Sequence, residues 1–127
     1  WTIQTFIKKY RGGVSMEISA AALKKSRKYK DIKNNLLDII AQNGAAQPAF
    51  TDLVDDYMTL WITKELLKID IETEGVKSKY SNGGGQEGDR INPAVDSLRK
   101  TNTQMSRLLK ELDITPEKVA SLVPDEL

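Results

Sequence analysis

Residues 52 to 71, "DLVDDYMTLWITKELLKIDI", constrain the fold more than any other stretch, because their apolar side chains cover so much of a helical cylinder. Wound as a helix from Phe50, the residues Leu53, Val54, Tyr57, Leu60 and Trp61 make one face. Met58, Ile62, Leu66 and Ile69 spread around its side, and Leu67 and Ile71 close the set. The arc spans roughly 240°, where a helix on the surface of a globule needs little more than about 100°. A helix of this kind requires cover from more than one direction.

The rest of the chain limits what that cover can be. With 127 residues it holds one domain, or one domain with an appended arm. It contains no cysteine, which removes disulfides, thiolate metal sites and cysteine nucleophiles, and suits an intracellular protein. It contains no histidine either, so the usual general base, metal ligand and pH switch are all missing. No apolar run reaches the eighteen or so residues that a bilayer demands, and no signal-peptide pattern is present. Residues 1 to 15 end in Gly12-Gly13 and read as an arm or as a segment foreign to the fold, with Met16 a candidate natural start.

The net charge of +1 hides a division. Residues 1 to 37 hold nine Lys or Arg against Glu17 and Asp31, whereas residues 38 to 74 hold eight acids against Lys64 and Lys68. Helix-friendly residues run from Glu17 to Tyr29, with five cations in the seven positions from Lys24 to Lys30. A second helical stretch places Ile32, Leu36, Leu37, Ile39 and Ile40 at helical spacing and stops at Asn43-Gly44. Residues 16 to 44 thus form a basic helical region. Pro48 suits the first turn of the long helix, which ends at Gly75. Residues 76 to 91 are glycine-rich and read as a small β-hairpin or a flexible loop. Asn92-Pro93 then marks a helix to about Leu112, and Thr115-Pro116 opens a short terminal one.

The last long helix covers part of the first. Val95, Leu98, Asn102, Met105, Leu109 and Leu112 form a heptad seam, and so do Phe50, Leu53, Tyr57, Leu60, Lys64, Leu67 and Ile71. Residues 45 to 127 therefore read as an antiparallel helical hairpin with a short C-terminal helix. Each seam has one polar member, Lys64 or Asn102, eleven residues from Gly75 or Ile91 respectively, so the two are expected to meet and fix the register. A second stripe, Val54, Met58, Trp61, Ile62, Leu66 and Ile69, is left over. Either the helix at 31 to 42 covers it in a small bundle, or it is a subunit interface. It is the candidate oligomer interface.

Catalytic chemistry is not legible. Asp52, Asp55 and Asp56 share a helix face, but they complement the dipole at a helix start and have no further acids to complete a metal site. "SNGGGQEGDR" lacks the Gly-Lys-Ser/Thr ending of a phosphate loop. No catalytic residue, metal ligand or cofactor is assigned. The basic segment carries more. Lys24, Lys25, Arg27, Lys28, Lys30 and Lys33 can neutralise several phosphates, giving nucleic-acid affinity with little sequence preference.

Four segments in order, "YKDIKNNLLDII", "FTDLVDDYMTLWITKELLKIDIETEGV", "SNGG" and "INPAVDSLRKTNTQMSRLLKELDITP", resemble the small subunit of a bacteriophage terminase of the type common in phages of Gram-positive bacteria. The likeness covers about residues 29 to 120, and "EKVASL" after Pro116 stands where many relatives carry arginines. The resemblance implies a non-catalytic, all-α, homo-oligomeric ring in the cytoplasm of the infected host. It would recognise viral double-stranded DNA and present it to the large terminase subunit, an ATPase and nuclease. It implies no membrane partner. The residues alone leave open a dimeric DNA-binding transcriptional regulator and a helical protein–protein adaptor.

Overall fold

A computed structural model describes residues 19–81 and 87–122. Helices α1 (Ala20–Lys25), α2 (Arg27–Gln42) and α3 (Pro48–Glu74) are followed by strands β1 (Lys77–Ser81) and β2 (Glu87–Ile91). Helices α4 (Pro93–Glu111) and α5 (Pro116–Leu122) complete the order. The fold is all-α, built on a helical hairpin of α3 and α4, as expected. The segment 1–15 lies outside the described residues.

The helix boundaries follow from local chemistry. Pro48 begins α3 at its first turn, where a missing N–H costs nothing. Gly75 ends it with φ 85° and donates its N–H to Ile71 O at 2.8 Å. Of the two readings for 76 to 91, the structure takes the hairpin: β1 pairs antiparallel with β2, Lys77 opposite Ile91 and Ser81 opposite Glu87. Asn92 then locks the joint. Its side-chain oxygen accepts from Ala94 N–H at 3.0 Å, capping α4, while its Nδ2 donates to Asp70 Oδ1 and Gly75 O, both at 3.0 Å. Both α2 and α4 end in the same motif. A residue with positive φ (Gly44 or Asp113) lets the next N–H reach back five residues, Ala45 to Ile40 O and Ile114 to Leu109 O, each at 2.8 Å.

Helix α3 is covered by three others: α1 and α2 pack on it, as does α4, while α5 packs on α2. The core joins Leu36, Ile39 and Ile40 of α2 to Val54, Met58, Trp61 and Ile62 of α3, with Met105, Leu112 and Ile114 from the far side. Two expectations are corrected by this packing. Val54, Met58, Trp61 and Ile62 do not form an open face on the chain. They are buried in their own chain, Val54 and Met58 completely, because α2 and α4 converge on that stripe. Leu66 packs against the same core, and Ile69 is half-buried. It is the other seam that keeps an open end, with Phe50 38% exposed.

The register pair is the second correction. Lys64 and Asn102 make no hydrogen bond to each other, and Asn102 is exposed to solvent. The buried member of α4 at that level is Thr101, one residue earlier. Its hydroxyl donates to Ser97 O at 2.8 Å, so it enters the interface with its hydrogen bond already made on its own helix. An asparagine there would bring an amide that α4 itself cannot satisfy. The helix turns accordingly, and Ala94, Thr101 and Met105 become its buried line.

Candidate nucleic-acid interface

The basic run is not one helix but a corner. Ser26 closes α1 and opens α2: its hydroxyl donates to Leu23 O at 2.6 Å and accepts from Tyr29 N–H at 3.2 Å. The residue is extended (ψ 150°), which breaks the helix in the middle of the cations. Lys24 and Lys25 therefore sit in the last turn of α1, where the helix dipole favours positive charge. Arg27, Lys28, Lys30 and Lys33 occupy the first turns of α2, where that dipole opposes them. Tyr29 anchors the corner, its ring edge-on to Trp61 with centroids 5.8 Å apart.

The six cations are not equally free. Arg27 lies 3.7 Å from Asp31 in a solvent-exposed pair that contributes little to stability. Lys33 reaches Asp55 of α3 at 3.3 Å, tying the basic region to the acidic start of the long helix. Lys24, Lys25, Lys28 and Lys30 are exposed and form no ion pair among the described residues. A surface with uncompensated cations can approach phosphates without first breaking internal pairs.

Lys64 and Lys68 of α3 adjoin this field, although the sequence placed Lys64 in the hairpin seam and assigned neither lysine to nucleic acid. The ammonium of Lys64 is held below the ordinary lysine range of 10.5, chiefly by burial, with Glu65 opposing and Lys68 and Lys28 reinforcing the shift. Lys28 of α2 and Lys68 of α3 thus both act on the charge of Lys64. Lys68 Nζ lies 3.2 Å from Glu65 Oε2, close enough for attraction but off line for a hydrogen bond. The signal was present in the sequence: these are the two lone cations of an acidic stretch, four apart on one helix face. Asp52, Asp55 and Asp56 are exposed at the start of α3, and among the described residues no group of carboxylates could hold a metal ion.

A family model described as phage terminase, small subunit, matches residues 30–126. Lys24, Lys25, Arg27 and Lys28 precede that region, whereas the hairpin and both of its helix joints fall inside it. No curated protein and no solved structure matches the chain. The match spans most of the sequence and runs through every element from α2 to α5. The chain belongs to the phage terminase small subunit family.

Proposed function

We propose that this protein is the non-catalytic DNA-recognition subunit of a phage packaging terminase. It assembles with copies of itself into a ring and presents viral double-stranded DNA to the large ATPase and nuclease subunit, in the cytoplasm of the infected host. The observation that carries this reading is the family match over residues 30–126. The exposed, unpaired lysines of the α1–α2 corner support the DNA contact. Among the described residues no helix is long and apolar enough to cross a membrane. Self-assembly uses what the single chain leaves uncovered, such as Phe50 and the half-buried Leu66 and Ile69, rather than the core around Trp61.

Charge reversal tests the reading directly. Lys24→Glu, Lys25→Glu, Arg27→Glu and Lys28→Glu together should abolish binding to a labelled duplex at low salt, because about four phosphate contacts become repulsions. The mass in solution, read by native mass spectrometry, should stay that of the same closed assembly. A wild-type protein that is monomeric and ignores DNA at low salt would remove the proposal.

A further inference from the structure

The exposed face of α4 is unlike an ordinary solvated helix. Arg99, Asn102, Thr103, Ser106, Arg107 and Lys110 follow one another at helical spacing and line a shallow cleft of about 490 Å³. Eleven residues of helix separate its ends, roughly 16 Å along the axis. Between Asp96 and Glu111 this helix holds Arg99, Lys100, Arg107 and Lys110 and not one acid. A face that only meets water usually interleaves acids with cations, which lets pairs form along it.

The short polar residues carry the second half of the argument. Asn, Thr and Ser are poor helix formers, and at exposed positions where no packing decides, Ala, Glu or Lys would stabilise the helix more. Here three of them stand in the central turns. Among the described residues the Asn102 amide and the Ser106 hydroxyl make no hydrogen bond, and Arg107 and Lys110 make no ion pair. Arg99 is steered by Asp96, at 2.8 Å. The face therefore presents unspent donors and acceptors between positive ends. Arg and Asn can each bond two atoms of a purine edge, Ser and Thr can contact any base, and Lys suits phosphate.

We propose that the Arg99–Lys110 face of α4 is a second DNA-contacting surface, lying along a groove of the duplex, with Arg107 and Lys110 on phosphates and Asn102 and Ser106 toward base edges. This inference rests on the DNA-binding reading above, which places its contacts at the α1–α2 corner on different helices. It gives that reading a source of sequence preference, which a lysine-rich corner cannot supply.

The test uses the full chain, a fluorescein-labelled random-sequence duplex and a salt series. Arg107→Gln with Lys110→Gln keeps good helix formers at exposed sites and should lower the slope of log affinity against log salt by about 2. Lys77→Gln with Arg90→Gln removes the same charge from two exposed positions of the β-hairpin and should leave the slope unchanged. A normal slope in the α4 variant, or an equal fall in the β-hairpin variant, overturns the assignment while the corner reading stands. No binding by the wild type overturns both. In selection from a random duplex pool, Asn102→Ala with Ser106→Ala should lose the preference of the wild type. An unaltered enrichment, or none in the wild type, overturns the base contact.

Discussion

Helices α3 and α4 lie antiparallel against each other, yet they solve burial in opposite ways. Helix α3 carries apolar side chains around most of its cylinder, and α1, α2 and α4 share the covering of them. Most of its exposed middle is a polar strip of Asp52, Asp55, Asp56, Thr59 and Thr63, with Phe50 open at its start. Helix α4 buries a single line, Ala94, Thr101 and Met105, flanked by the half-buried Val95, Leu98, Leu108 and Leu109, and gives its opposite face to solvent. The central helix thus keeps only patches near its ends for a partner, such as Phe50 and the half-buried Ile69, while the outer helix has a whole face. Stability is concentrated in the first, and freedom to evolve contacts in the second.

The sharpest way to break this contrast is at Trp61, which is 2% exposed and stacked edge-on against Tyr29. Trp61→Ala should cost about 3–5 kcal/mol in urea unfolding, enough to melt a domain of this size. Ser106→Ala on the open face of α4 should change stability by less than about 0.5 kcal/mol. If the Trp61 variant instead stays folded and only loses self-association, the stripe is an interface after all.

A smaller effect is expected where the two helices are joined. Asn92 is buried, 5% exposed, and its amide serves α4 through Ala94 and α3 through Asp70 and Gly75. Asn92→Ala removes the cap and leaves two acceptors short of a donor, for about 2 kcal/mol. Asn92→Asp keeps the cap acceptor but sets a second carboxylate against Asp70, so it should recover stability only on acidification. Thermal melts of both variants across pH read this out. Equal stability of wild type and Asn92→Ala would mean that packing alone holds α4 against α3.

Most helix ends were legible in the sequence, because each is fixed by a residue that acts locally: Pro48, Gly75, Asn92-Pro93 and Thr115-Pro116. The hairpin was legible for the same reason. The rotation of α4 was not. Leu98, Met105 and Leu112 belong to two heptad seams at once, one completed by Val95, Asn102 and Leu109, the other by Ala94, Thr101 and Leu108. Apolar content favours neither, and the choice turned on a threonine hydroxyl bonding its own backbone, which no periodicity reveals. That same rotation put Asn102 on the surface and so created the polar face of α4. At the basic run, charge density was plain but the Ser26 break was not, since serine is tolerated within helices and caps them equally readily.

The smallest effect concerns Lys64, the half-buried lysine of α3. Burial and the neighbouring Lys28 and Lys68 disfavour its charged form in the folded state, whereas the unfolded chain keeps the ordinary value of 10.5. The folded state therefore releases this proton first as pH rises. Below the lowered value the cost of the charge is fully present. Between that value and 10.5 the unfolded state binds more protons, so stability should climb with pH from this group. Lys64→Met keeps the length of the side chain and removes the charge, and should raise Tm by about 1–2 °C at neutral pH, a small gain because solvent screens a side chain this open. Other lysines and tyrosines titrate in the same alkaline range, so the informative quantity is the difference in Tm between variant and wild type. That difference should shrink as pH approaches 10.5. A constant difference would show that Lys64 acts through packing rather than charge, and a lower Tm would show that its ammonium makes a favourable contact on this side of α3.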